Sequence, residues 1–257
     1  MDRSVDYNSV ADEYDKRYET SEYGSVVRLL LDFSGETASA RVLEVGCGTG
    51  QWLWELTRRG YRAFGLDPSR GMLKVAQVKA PQAAIVQAGA EAIPWQSGAF
   101  NRLFCINSLH HFADHRRFFA EARRLLSRGG GVLIVGLDPH NGLDRWWIYD
   151  YFPQIVEIDR RRYPSAERIR YWLKVYGFTE CRTAIALHIP VQLPARAALE
   201  SGRLAKETTS QLTLLSDGEY DAGINWLVKD IEAAEAEGKT LSIGADLRLY
   251  ATTGWIR

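Results

Sequence analysis

From residue 41 onward, apolar residues fall into two alternating patterns. Short unbroken runs read as buried strands, and longer stretches with apolar positions three and four apart read as helices. Arg41 to Val45 is the first strand, followed by a glycine turn and a helix from about Gln51 to Arg59 that Gly60 stops. Tyr61 to Leu66 reads as a second strand, and Asp67-Pro68-Ser69 opens a helix to about Lys79. Ala83 to Gln87 and Arg102 to Ile106 read as the third and fourth strands. Asp114 is placed to cap a helix from Arg116 to Leu126, whose Phe118, Phe119, Ala122, Leu125 and Leu126 share one face. Gly129 to Gly131 then turns the chain into a fifth strand, Val132 to Leu137. This alternation predicts a parallel sheet with right-handed crossovers, whose ligands bind at the carboxyl ends of the strands where the strand order reverses.

Past residue 137 the alternation breaks. Residues 138–164 hold an aromatic cluster, Trp146-Trp147-Ile148-Tyr149 and Tyr151-Phe152, and then Arg160-Arg161-Arg162. Ser165 starts a helix to about Tyr176, Gly177 ends it, and Phe178 to Leu187 reads as a strand. Residues 190–240 read as helical. Ser216 and Glu219 have capping-box spacing, and Tyr220, Ile224, Leu227, Val228 and Ile231 form an apolar stripe. A last strand lies within Leu241 to Trp255. The expected fold class is therefore a doubly wound α/β sheet of seven strands, mostly parallel, with a helical and aromatic cap inserted in its C-terminal half. Residues 138–164 and 190–240 are expected to form that cap together, because both have apolar faces to bury and both leave the core near the ligand-binding strand ends.

Composition narrows the classes of function. The chain is 46% hydrophobic and 25% charged, ordinary values for a globular protein. Lys plus Arg and Asp plus Glu number 32 each, so no net field draws the protein to nucleic acid or an anionic membrane. The N-terminus, with Asp2, Arg3 and Asp6, lacks the apolar core of a signal peptide, and Val132-Leu133-Ile134-Val135 is typical of the longest apolar runs. Cys47, Cys105 and Cys181 are scattered and form no C-x-x-C pair, which fits a reducing cytoplasm and argues against a disulfide framework. A cytoplasmic monomer or homodimer is expected, with no membrane partner.

The most informative segment is Val42-Leu43-Glu44-Val45-Gly46-Cys47-Gly48-Thr49-Gly50. Its glycines let the backbone turn tightly and approach a ligand without Cβ clashes, and the N–H groups of the following helix start suit an anionic group. A dinucleotide fingerprint, G-x-G-x-x-G, would need glycine at position 51, which is Gln51. Asp67 ends the second strand, where a carboxylate accepts both hydroxyls of a ribose. That feature points to a nucleoside without choosing which one.

The E-x-G-x-G-x-G pattern resembles motif I of the class I S-adenosylmethionine-dependent methyltransferases. Ala90-Glu91-Ala92-Ile93-Pro94-Trp95 with Gly98-Ala99-Phe100-Asn101, then Asn107-Ser108-Leu109-His110-His111-Phe112-Ala113-Asp114, and Leu126-Ser127-Arg128-Gly129-Gly130 resemble further family motifs, in order and at family spacing. Val10-Ala11-Asp12-Glu13-Tyr14-Asp15 is similar to the helix before the core in the ubiquinone-methyltransferase-like branch. The resemblance implies a Rossmann-like core over 41–137, an N-terminal helical segment over 1–40 covering the cofactor, and S-adenosylmethionine as cofactor with S-adenosylhomocysteine as product.

The resemblance also implies roles. Glu44 and the backbone of Gly46, Cys47, Gly48 and Gly50 would hold the methionine end, and Asp67 with Pro68 the ribose. Met72 would pack on adenine, Ala90 and Glu91 would line its edge, Asn107 would face the cofactor, and Tyr14 would close over it. Gly89 stands where relatives usually carry an Asp that contacts the adenine amino group, so the base is left to backbone groups. Met72 reads equally well as a core residue.

Three weaker signals remain. His110 and His111 lie where the family borders the reacting methyl group, so either is a candidate catalytic base, with loop shaping as the alternative. His110, His111 and His115 lack the acidic or thiolate partners of a metal shell, and no metal is expected. The aromatic run and the arginines near 160 fit either a substrate pocket or, more plainly, packing and a solvated face. The favoured function is methyl transfer to a small molecule. A nucleic-acid methyltransferase is the alternative, opposed by zero net charge and by Ser108-Leu109 where an N/D-P-P-Y/F motif would stand. A non-catalytic cofactor-binding protein and an NAD-dependent oxidoreductase complete the alternatives.

Overall fold

The computed structural model describes residues 23–35 and 40–257. Helix α1 (Gly24–Ser34) precedes β1 (Arg41–Val45), α2 (Gln51–Thr57), β2 (Arg62–Asp67), α3 (Arg70–Lys79), β3 (Ala84–Gln87) and β4 (Phe100–Ile106). A short 3-10 turn at Leu109–His111 leads to α4 (His115–Leu125), β5 (Leu126–Leu137), β6 (Arg145–Trp146), α5 (Trp147–Tyr151) and α6 (Gln154–Arg162). Then come α7 (Ala166–Val175), β7 (Thr179–Pro194), α8 (Ala195–Glu200), α9 (Ser210–Thr213), α10 (Asp217–Ala236) and β8 (Ser242–Trp255).

These residues divide into two compact units. One holds the described residues up to Asp138 together with Tyr163–Leu187 and Leu249–Arg257; the other holds Pro139–Arg162 and His188–Arg248. In the first unit the strand order is β3-β2-β1-β4-β5-β8, with β7 also pairing β8. Strands β3 through β5 are mutually parallel, and β8 returns antiparallel, pairing Gly131 with Trp255 through Leu137 with Leu249. The fold is thus the expected Rossmann-like α/β sheet. Its order reverses between β1 and β4, so the loops after these two strands diverge and leave a crevice.

Side chains alternate across the sheet, as strand geometry requires. Leu43, Val45, Leu103, Cys105, Val132 and Ile134 pack with α4 and α7 residues such as Phe118, Phe119 and Leu173. Val42, Phe104, Ile106, Leu133 and Val135 pack with Leu30 of α1, Leu53 of α2 and Leu73 of α3. Helix starts are set by hydrogen bonds from backbone N–H groups to side-chain oxygens. Ser69 accepts from Met72, Asp114 from Arg116 and Arg117, and Ser165 from Arg168.

Three details differ from the sequence reading. Strand β5 starts at Leu126, which pairs with Phe100; the ladder resumes only at Arg102 with Gly131, so the glycine turn is an irregularity within the strand. Residues 190–194 continue β7 rather than starting a helix, because Pro190 and Pro194 lack the N–H a helix interior needs. Finally, Arg145 and Trp146 pair with Asp246 and Ala245, which makes eight strands among the described residues where seven were expected. Residues 1–22, including Tyr14 and most of the expected N-terminal segment, lie outside the described residues.

The second unit shows what the aromatic run does. Ile148, Phe152 and Ile155 are fully buried with Leu212 and Leu215. The ring of Phe152 lies 2.0 Å from where a Cβ on Gly223 would stand, so α10 accepts the ring only because that position is bare. The Ser216–Glu219 capping box starts α10. Of the arginines, Arg160 pairs with Glu157 and Arg162 lies 3.5 Å from buried Asp159.

Asp159 yields a testable consequence. Tyr149 Oη donates to it at 2.9 Å and Gln211 Nε2 at 3.2 Å. Burial nevertheless pushes its carboxyl up to about 6, against the opposing effects of Tyr149, Arg162 and Gln211. In the unfolded chain an aspartate titrates near ~3.9, so between these values the native state holds the extra proton. Stability from this group is therefore complete below about pH 4 and is lost as pH rises through its folded value. Chemical denaturation across this window should show a fall with pH that Asp159→Asn flattens; an unchanged slope would refute the assignment.

Candidate active site

The crevice between β1 and β4 opens into a cavity of about 240 Å³. Strand β1 delivers Glu44, which is 1% exposed, to its edge. The chain then turns through Gly46, Gly48 and Gly50, all with positive φ of 77°, 51° and 78°. The N–H groups of Gly46 and Cys47 both donate to Leu66 O, which ties the turn to the end of β2. The glycines serve different ends. A Cβ on Gly46 would sit 2.5 Å from Ser108 Cβ, and one on Gly50 would sit 3.0 Å from Ala76 Cβ. At Gly48 nothing lies within 4 Å, so there the bare backbone borders open cavity.

Asp67, at the end of β2, accepts from Gly48 N through Oδ2 at 3.0 Å and from Ser69 N through Oδ1 at 2.8 Å. Each oxygen keeps acceptor capacity for a further donor. Burial raises the Asp67 carboxyl above its usual range, and its two backbone hydrogen bonds oppose the rise. Glu44 is held well above the usual range, first by burial and second by the charge of Asp67. Among the described residues no group donates to Glu44 Oε2, although it is buried. Two carboxylates, one with an orphaned oxygen, make the cavity a site for a ligand that brings a cation and hydroxyl donors.

The opposite wall comes from the segment after β4. Asn107 has a positive φ of 51° at the strand's end, a conformation asparagine tolerates better than most residues. Ser108 Oγ donates to Val45 O at 2.9 Å, fastening this loop to β1. His111 lines the cavity, whereas His110 lines a separate pocket of about 20 Å³ with Tyr163 and Asp138. The two imidazoles are 3.9 Å apart, and His110 stacks on Tyr163 with an Nε2 to Oη distance of 3.1 Å. His115 is a fastener: its Nε2 meets Leu109 O at 3.0 Å, and burial lowers its pKa.

Of the residues expected at a cofactor, Glu44, Gly46, Cys47, Gly48, Asp67, Pro68, Met72, Gly89, Ala90, Glu91 and Asn107 all line this one cavity. Gly50 does not; it caps α2 and packs on Ala76. The sequence reading missed Trp52, Ser108 and Phe112 as lining residues. Trp52 carries no signal that separates it from an ordinary core position, and Ser108 stood inside a recognised motif without an assigned task.

The site is what the buried ends of a methyl donor would require. Glu44 suits an ammonium group, Asp67 a ribose diol, and the bare backbone of Gly48 close approach. Comparisons with known proteins find methyltransferases. A methyltransferase-domain family model matches residues 43–134. Phthiotriol/phenolphthiotriol dimycocerosates methyltransferase 1 of Mycobacterium ulcerans is 34% identical over 115 residues, 43% of this chain, and this chain spans 42% of its length. The demethylmenaquinone methyltransferase of Thermus thermophilus is 28% identical over 67% of this chain and 91% of its own. A putative methyltransferase from an antibiotic biosynthesis pathway of Anabaena variabilis has the same fold, with TM-score 0.67 and 22% identity over 88% of this chain and 96% of its own. No helix among the described residues is long and apolar enough to cross a membrane. The glycine turn, the two carboxylates and most of the cavity wall thus fall within the stretch that matches a methyltransferase domain, and the chain is similar to S-adenosylmethionine-dependent methyltransferases that include members of the ubiquinone-methyltransferase-like branch.

Proposed function

We propose that this protein transfers a methyl group from S-adenosylmethionine to a small-molecule acceptor. The observation that carries the reading is the buried Glu44–Asp67 pair in a glycine-bordered cavity, with Glu44 Oε2 lacking a donor among the described residues. When bound, the cofactor supplies the electrophilic methyl group. The chain's own part is to bind, align and exclude water. Glu44 takes the ammonium group, the Gly46-to-Gly50 turn takes the carboxylate end, and Asp67 with Pro68 takes the ribose. Met72, Gly89, Ala90 and Glu91 enclose the base, and Asn107 borders the transferred group. His110 or His111 takes the proton from a hydroxyl or carbon-acid acceptor. The segments 138–164 and 190–240 select that acceptor, a reading supported by the aromatic run from Trp146 to Phe152 in the first of them.

Relatives named for demethylmenaquinone and for phthiotriol/phenolphthiotriol dimycocerosates support a small molecule over a polynucleotide. Three free thiols support residence in a reducing cytoplasm. Calorimetry with S-adenosylhomocysteine should give saturable binding. Methyl-labelled S-adenosylmethionine should label hydroquinone or phenol acceptors in a panel that also contains DNA and RNA. No heat up to about 1 mM ligand, the upper range for enzyme substrates, would overturn the cofactor site; label only in polynucleotide would overturn the acceptor class.

A further inference from the structure

We infer that Glu91 sets which nucleobase the cavity accepts, by presenting Oε2 to an exocyclic amino group of the adenine type. The inference rests on the cofactor reading above and adds the residue that discriminates the base.

The sheet itself orders the ligand contacts. Glu44 is the penultimate residue of β1, Asp67 ends β2, and Gly89–Glu91 follow the end of β3, in the strand order β3-β2-β1. Asp67 pairs with Gln87, and Ala88 N donates to Asp67 O at 3.2 Å, so the segment after β3 starts beside Asp67. Neighbouring strands lie about 4.8 Å apart. A nucleoside whose amino-acid end meets Glu44 and whose ribose meets Asp67 therefore carries its base on to the Gly89–Glu91 segment.

There, one oxygen of Glu91 is already committed. Oε1 accepts from Ala113 N at 2.8 Å and from Asp114 N at 3.3 Å, which fixes the plane and direction of the carboxylate. Among the described residues none donates to Oε2. That oxygen stands 2.9 Å from the place of a Cβ on Gly89, and both residues line the cavity. A side chain at position 89 would displace it; the bare backbone gives Oε2 its place at the base. An amino group donates to such an oxygen, whereas the carbonyl of a 6-oxo purine meets it acceptor against acceptor.

The test is a ratio of affinities, measured by calorimetry for S-adenosylhomocysteine and for S-inosylhomocysteine, its 6-oxo counterpart. The wild-type protein should favour the amino form by about tenfold or more, the range expected for a hydrogen bond to a charged group. Glu91→Gln is the informative variant. The N–H groups of Ala113 and Asp114 demand an acceptor at Oε1, so the introduced amide must turn its NH₂ toward the base. The preference should then vanish or reverse. Equal wild-type affinities for the two ligands would overturn the inference while leaving the cofactor site standing. So would a wild-type ratio preserved in Glu91→Gln, including a parallel loss of both affinities, since loop support alone weakens both ligands alike. Absence of any S-adenosylhomocysteine binding to the wild-type protein would instead overturn the cofactor reading and this inference with it.

Discussion

Asp67→Ala is expected to weaken binding of S-adenosylhomocysteine about ten- to a hundredfold, the effect of losing charge-assisted hydrogen bonds to a buried acceptor. Asp67 also accepts from Gly48 N and Ser69 N, so its loss loosens the empty turn as well. The two effects separate when a ligand lacking the ribose hydroxyls is measured beside the full one. Removing the hydroxyls should cost the wild-type protein affinity and cost the variant almost nothing. Equal penalties in both proteins would mean that Asp67 supports the turn without touching the ribose. Undiminished affinity in Asp67→Ala would remove the assignment altogether.

The same site gives cofactor binding a definite pH dependence. Glu44 is raised well above the carboxylate range by burial and by Asp67, so the empty protein holds a proton there to higher pH than an exposed glutamate would. An ammonium group beside it favours the ionised form. Binding therefore releases that proton, and affinity strengthens as pH rises through the raised value and is lost below it. A ligand without the amino-acid end, such as 5′-methylthioadenosine, lacks the ammonium and should not share this component. If both ligands follow one pH profile, Glu44 does not meet the ammonium group.

How much of this was legible in the chain depended on whether the signal was local. The strands of the first unit, the caps Ser69, Asp114 and Ser165, and the Ser216–Glu219 box are written in adjacent residues, and they fold where that local chemistry directs. The glycine turn and Asp67 were equally readable, because a tight turn and a strand-end carboxylate require particular residue types. Contacts between distant segments were not. Ser108 matters because it occupies the space that Gly46 leaves, 62 residues earlier in the chain, and no pattern around either residue announces the other. Strand β6 is only two residues long and owes its existence to β8, about a hundred residues later. The commitment of Glu91 Oε1 to Ala113 and Asp114 is of the same kind. Gly50 shows the converse: it belongs to the motif, yet its closest constraint is packing on Ala76.

Converting both His110 and His111 to glutamine is expected to slow single-turnover methyl transfer to a hydroxyl or carbon-acid acceptor by about 10²- to 10⁴-fold, the usual contribution of a positioned base. Such acceptors are poor nucleophiles until their proton is removed, and an imidazole titrates where that removal is needed. Both residues sit on the turn directly after β4, beside Asn107 and at the point where the strand order reverses. Their situations differ. His111 lines the cofactor cavity, while His110 is stacked on Tyr163 and hydrogen-bonded to it. His111→Gln should therefore carry most of the loss, and His110→Gln a smaller share through the 3.9 Å contact between the rings. A base is idle when protonated, so the wild-type rate should fall on the acid side, and the variant without the base should lose that limb. An amine that arrives unprotonated needs no base, and for such an acceptor positioning alone carries the reaction. With a hydroxyl or carbon-acid acceptor, a retained rate and an unchanged acid limb in both variants would eliminate the base role. Loss confined to cofactor affinity would instead make the pair a wall of the site, since a wall residue changes what binds without changing how fast the bound methyl group moves.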